Sequence, residues 1–72
     1  MTNALARNLR LRRVSAGLSQ DELAERTGLS QTWISRLELG SANPTVSTLT
    51  ILAEGLQIGL HELFDEPPEA VR

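Results

Sequence analysis

Apolar positions recur along this chain at helical spacing, in blocks bounded by caps and glycines. From Ala4 to about Ala16, Leu5, Leu9 and Ala16 make an inner stripe with Arg12 and Arg13 between them, while Leu11 and Val14 lie on a second face. Gly17, just past that helix, suits a left-handed closing position. Ser19 and Glu22 then form S-x-x-E, a capping box, with Leu18 and Leu23 at the positions of a hydrophobic staple. The second helix they open ends at Gly28. Ser30 caps a third helix, Leu29 and Ile34 repeat the staple, and Gly40 closes it. Ser41-Ala42-Asn43-Pro44 is a loop by composition, since Pro44 prevents continuation. Thr45 caps a fourth helix to about Leu56, with Val46, Leu49, Leu52, Ala53 and Leu56 expected to face inward. Gly55 inside it costs about 1 kcal/mol relative to alanine, and Ile51 falls off the inner face. Leu60 to Phe64 predicts a last short helix. No strand pattern or internal repeat is present, so the predicted class is all-α, a compact five-helix bundle. Residues 1–65 form the domain, and 66–72, with Pro67-Pro68, a short acidic tail.

The third helix is the most informative. At about 100° per residue, Trp33, Ile34 and Leu37 fall on one side of it and Thr32, Ser35 and Leu39 on the other, with Gln31 and Arg36 on the flanks. A helix anchored by its back and presenting Gln, Thr, Ser and Arg outward suits the base-pair edges of a DNA major groove. An ordinary amphipathic helix with a solvated polar face has the same pattern. The spacing of the whole two-helix unit separates the two.

Composition narrows the choices. Seventy-two residues make one small domain. Cysteine is absent and His61 is the one histidine, which leaves no disulfide and argues against a zinc site or other metal centre. No apolar run approaches the ~18 residues of a membrane span, and the start lacks a signal-peptide pattern, so a soluble, cytoplasmic protein is expected. No paired carboxylates, nucleophile–base pair or phosphate loop is visible, so neither an enzyme nor a cofactor is expected.

The net charge of −2 argues against nucleic acid until its distribution is read. Residues 1–36 set Arg7, Arg10, Arg12, Arg13, Arg26 and Arg36 against Asp21, Glu22 and Glu25, a net +3. Residues 37–72 are net −5. Only the basic half needs to meet phosphate.

At this point the chain resembles the phage-repressor type of helix-turn-helix, the xenobiotic-response-element (XRE) family. With Gln20 as first position, Ala24 is fifth and Gly28 ninth, and Leu23, Leu29, Ile34 and Leu37 fill the apolar positions the family uses. A small fifth residue lets two helices cross closely, and glycine at the turn accepts φ > 0. GLSQ-x-x-LA at Gly17–Ala24 and I-S-x-L-E-x-G at Ile34–Gly40 are also typical. The match covers about residues 5–64. Thr27 departs from it, standing where an apolar residue is usual and implying a looser turn. Gln57 and Gly59 stand where Gly and a capping Ser are common.

The resemblance implies a lambda-repressor-like bundle and a set of roles. Gln31, Thr32, Ser35 and Arg36 would face the bases. Gln20, Ser30, Asn43 and the backbone amides near Ser41 would contact phosphate. Arg13 and Glu38 match a pair the family often uses as a buried salt bridge, and Trp33 is a packing residue. The implied function is a sequence-specific transcriptional regulator that binds double-stranded DNA as a homodimer on a pseudo-palindromic operator. Occupancy would block RNA polymerase or contact it. Ile51, with Leu63 and Phe64 at its edge, is the expected dimer interface. No small-molecule effector or membrane partner is evident. Small phage-type repressors and the controller proteins of restriction–modification systems share this plan. The alternative is an antitoxin that binds a toxin protein, its acidic tail from Asp65 serving as the binding segment.

Overall fold

The computed structural model describes residues 4–64; the expected acidic tail lies outside them. Helices α1 (Ala4–Ser15), α2 (Gln20–Thr27), α3 (Gln31–Glu38) and α4 (Val46–Leu56) are followed by one 3₁₀ turn, Leu60–Leu63. No strand occurs among the described residues. α1 packs on α3 and the 3₁₀ turn, α2 on α3 and α4, and α4 on the turn. Leu9, Leu23, Ile34, Leu52 and Leu63 are fully buried at the centre, with Leu37, Leu49, Ala53 and Leu56 around them.

Local chemistry explains the boundaries. The hydroxyls of Ser19, Ser30 and Thr45 accept from the backbone N–H groups of Glu22, Trp33 and Thr48, each satisfying a donor that the helix start leaves open. Glu22 completes the capping box by accepting from the Ser19 N–H at 2.8 Å. The ends of α1, α3 and α4 close with paired backbone bonds around a left-handed residue: Gly17, Gly40 and Gln57. Gln57 holds φ 60°, so the position where the resemblance led to a glycine being expected is a left-handed one.

The expected fifth helix is a single 3₁₀ turn. Glu62 accepts from the Gly59 N–H, and Phe64 N–H closes onto the His61 carbonyl. The buried Asn8 amide donates to the Leu63 carbonyl at 3.0 Å, taking an acceptor that a longer helix would need. Leu63 therefore points into the core and not to an edge, which removes it from the expected dimer surface. Ala16 and Val46 are also exposed, because Ala16 lies beyond α1 and Val46 is the first residue of α4. Ala6 and Asn8 are buried on α1 in their place.

Thr27 tightens the turn that it was expected to loosen. Its hydroxyl donates to the Leu23 carbonyl at 2.8 Å and accepts from the Leu29 N–H at 3.2 Å, bracing both sides of Gly28. Gly55 is explained by the same residue. A Cβ there would stand 2.6 Å from Thr27 Cγ2, so glycine is what lets α4 approach α2 this closely.

Candidate nucleic-acid interface

The turn at Gly28, with φ 78°, swings α3 across α2 and fixes which face of α3 is free. Ile34 and Leu37 are buried and Trp33 is half-buried, so the back of α3 is anchored as its spacing required. Gln31, Thr32 and Arg36 are exposed, and Ser35 is half-buried beside them. These side chains supply amide, hydroxyl and guanidinium groups along about two turns of helix, chemistry of the kind that pairs with donors and acceptors on base edges. The Arg36 guanidinium carbon lies 5.9 Å from the Trp33 ring centroid, a placement that biases a long side chain towards one flank.

Beneath this face lies a charged anchor. Arg13 Nε donates to Glu38 Oε2 at 2.6 Å and Nη2 to Oε1 at 3.0 Å, a two-pronged bond between α1 and the last turn of α3. The two side chains keep only 11% and 5% of their surface exposed. Arg13 Nη1 also donates to the Leu18 carbonyl at 2.8 Å, so the guanidinium ties three segments. The bond to Glu38 raises the Arg13 pKa above its ordinary value, against the opposing effect of burial.

The anchor reaches the free face through two glutamines. Gln20 Nε2 donates to Glu38 Oε1 at 3.0 Å, and Gln31 Nε2 donates to Gln20 Oε1 at 2.6 Å. The direction of this chain follows from its end. An ionised carboxylate only accepts, so Gln20 turns its NH₂ towards Glu38 and its carbonyl towards Gln31. Gln31 must then offer NH₂ to Gln20, keeping one further N–H and its carbonyl for a ligand. That donor and acceptor match N7 and N6 of adenine.

The groups expected at phosphate divide. Ser30 accepts from Trp33 N–H and keeps its hydroxyl proton for an outside acceptor. Asn43 is exposed. Ser41 spends both its donors on the Arg36 carbonyl, N–H at 3.0 Å and hydroxyl at 3.2 Å, to close α3. Its amide is therefore not open to phosphate. Ile51 and Phe64 remain on the surface, 38% and 55% exposed. Asn8 is the structural residue that sequence reading missed, because one amide on an apolar stripe carries no periodic signal.

Among the described residues no group of acidic or histidine side chains could hold a metal ion, and no helix is long and apolar enough to cross a membrane.

The family model described as a helix-turn-helix domain matches residues 4–65. Over 66 residues the chain is 47% identical to an uncharacterized HTH-type transcriptional regulator, y4dJ, of Sinorhizobium fredii, with 88% of this chain and 84% of the relative covered. Control protein C.SmaI of Serratia marcescens is 44% identical over 60 residues, covering 83% of this chain and 71% of that one. The crystal structure of the restriction-modification controller protein C.AhdI from Aeromonas hydrophila superposes with a TM-score of 0.83 at 34% identity, over 85% of this chain and 92% of that one.

Proposed function

Because the chain belongs to the helix-turn-helix family of DNA-binding transcriptional regulators, we propose that it reads an operator by laying α3 in the major groove, two copies to a site. The observation that carries this reading is the free face of α3, where Gln31 is held by Gln20 and Arg36 rests on Trp33. Gln31 pairs with adenine N6 and N7, and Arg36 with guanine O6 and N7, at separate base pairs because they lie on opposite flanks. Thr32 and Ser35 contribute methyl contacts or water-bridged bonds. Gln20, with one amide hydrogen still free, Ser30 and Asn43 face the phosphates.

Dimerisation uses the surface that holds Ile51 and Phe64, placing two recognition helices about 34 Å apart, one turn of DNA. Likeness to C.SmaI and C.AhdI over most of their length supports a place in restriction–modification control. The mechanism is occupancy: a bound dimer blocks RNA polymerase or touches it.

Selection of bound sequences from randomised duplexes tests this reading. The expected product is an inverted repeat with half-site centres one helical turn, or a multiple of it, apart. Against single-base variants of that repeat, Gln31→Ala and Arg36→Ala should each lose about 1–3 kcal/mol of discrimination, mainly at one position. Failure of any sequence to enrich would overturn the proposal. A uniform loss for Arg36→Ala would reassign that residue to the backbone.

A further inference from the structure

The phosphate-facing groups just named carry no positive charge, yet DNA binding draws much of its free energy from cations that displace counterions. The arginines of the described chain are the candidates, and packing has committed most of them. Arg13 is bonded to Glu38, and Arg12 lies 3.4 Å from Glu62. Arg26 reaches the Gly55 carbonyl at 3.3 Å, and Arg36 rests on Trp33. Arg7 and Arg10 are exposed and have no ion-pair, hydrogen-bond or ring partner among the described residues.

Their position matters as much as their freedom. Three residues apart on α1, they are neighbours on one face of that helix. Both border a cleft of about 600 Å³ whose other wall is formed by Glu38, Leu39 and Gly40 at the end of α3. Arg10 continues into an adjoining cleft that holds Gln20 and Ser35. Arg10 thus borders the edge of the face proposed to meet the bases, at Ser35, and Arg7 stands one turn further along α1, beside the end of α3. Two like charges side by side on a helix repel each other. A phosphodiester placed between them and α3 relieves that repulsion and leaves Glu38 undisturbed, since its carboxylate is already matched by Arg13.

The geometry points to Arg7 and Arg10 as the phosphate clamp of this surface, holding the DNA backbone beside α3 without reading sequence. This rests on the DNA-binding reading and gives its phosphate-facing groups the positive charge they lack. Both side chains are exposed and bonded to nothing within the described chain, so alanine at either position leaves the fold intact.

The test titrates the full chain with a mixed-sequence DNA duplex over a range of salt concentrations. Wild type is compared with Arg7→Ala, Arg10→Ala and Arg12→Ala, which all remove the same formal charge. Removing one phosphate-bound cation makes the slope of log K against log salt shallower by about 0.9, or about 1.8 when both protomers of a dimer are affected. Arg7→Ala and Arg10→Ala are expected to show that drop, weakening random and selected sequences by the same factor. Arg12→Ala, whose cation is already paired with Glu62, should keep the wild-type slope. Unchanged slopes for Arg7→Ala and Arg10→Ala overturn the clamp. An equal drop in all the variants also overturns it, because net charge alone would then account for the effect. If the wild type binds no duplex at any salt, the DNA-binding reading fails and the clamp with it.

Discussion

The side-chain amide of Gln31 donates to the side-chain carbonyl of Gln20 at 2.6 Å, joining the start of α3 to the start of α2. Gln20 is in turn bonded to Glu38, so the rotamer and the direction of the Gln31 amide are set before any ligand arrives. A base-reading group held this way loses less entropy on binding than a free glutamine would. The two residues should therefore be coupled in DNA binding. In a double-mutant cycle on the selected operator, Gln20→Ala and Gln31→Ala are expected to be non-additive by about 0.5–3 kcal/mol. Gln20→Ala alone should weaken random DNA through loss of the proposed phosphate contact, and the selected operator by more, because Gln31 also loses its hold. Strict additivity in calorimetric titrations would mean that the bond breaks when DNA binds.

The Arg13–Glu38 pair bears mainly on stability. Both groups are largely buried, and Glu38 also accepts from Gln20, so removing the carboxylate strands three N–H donors, two on Arg13 and one on Gln20. Glu38→Ala is expected to cost about 3–5 kcal/mol, a large share of what a small domain has. Replacing both partners with apolar residues of similar volume should cost far less, since no charge is then left without a partner. Urea unfolding of the single and double variants checks this. A Glu38→Ala midpoint within error of wild type would show that the pair contributes little.

Gly55 inverts the usual expectation for a glycine inside a helix. Propensity alone gives Gly55→Ala a gain of about 1 kcal/mol. The close approach of Thr27 Cγ2 to the new Cβ opposes it, and overpacking of that kind costs about 1–3 kcal/mol. The expected result is a lower melting temperature. Adding Thr27→Ser removes the offending methyl and keeps the hydroxyl that braces the turn, so the double variant should recover most of the loss. A Gly55→Ala protein that melts higher than wild type would mean that α4 moves away from α2 at no cost.

Those cases mark what the sequence could and could not tell. The helix starts at Ser19, Ser30 and Thr45 were legible because a cap is local chemistry, decided within four residues. The anchored back of α3 was legible because its period is strict. The Thr27 brace, the role of Gly55 and the inward turn of Leu63 were not, since each depends on which helices cross and how closely. Asn8 was hidden for the same reason: its partner is 55 residues away in sequence. On the free face, the resemblance supplied Gln20 and Gln31 as separate contacts, and the bond between them came only with the fold.

The place of Leu63 also sharpens the expectation for assembly. Ile51 and Phe64 are exposed, whereas Leu63 is sealed in the core with its carbonyl held by Asn8. A charge at Ile51 or Phe64 meets water in the monomer and costs the fold little, but in a dimer interface it would be buried without a partner. Ile51→Glu is therefore expected to keep wild-type helicity while sedimentation shifts from dimer to monomer. Operator affinity should fall with it, because one recognition helix reads too few base pairs to bind tightly by itself. Leu63→Glu makes the contrast: it puts a carboxylate into the core and should unfold the chain instead of separating two folded ones. The two outcomes are distinguished by circular dichroism and sedimentation run on the same samples. A dimer that survives Ile51→Glu and Phe64→Glu together would place the interface elsewhere. A wild type that sediments as a monomer at tens of micromolar, and binds its operator without pairing, would sink the two-fold arrangement altogether.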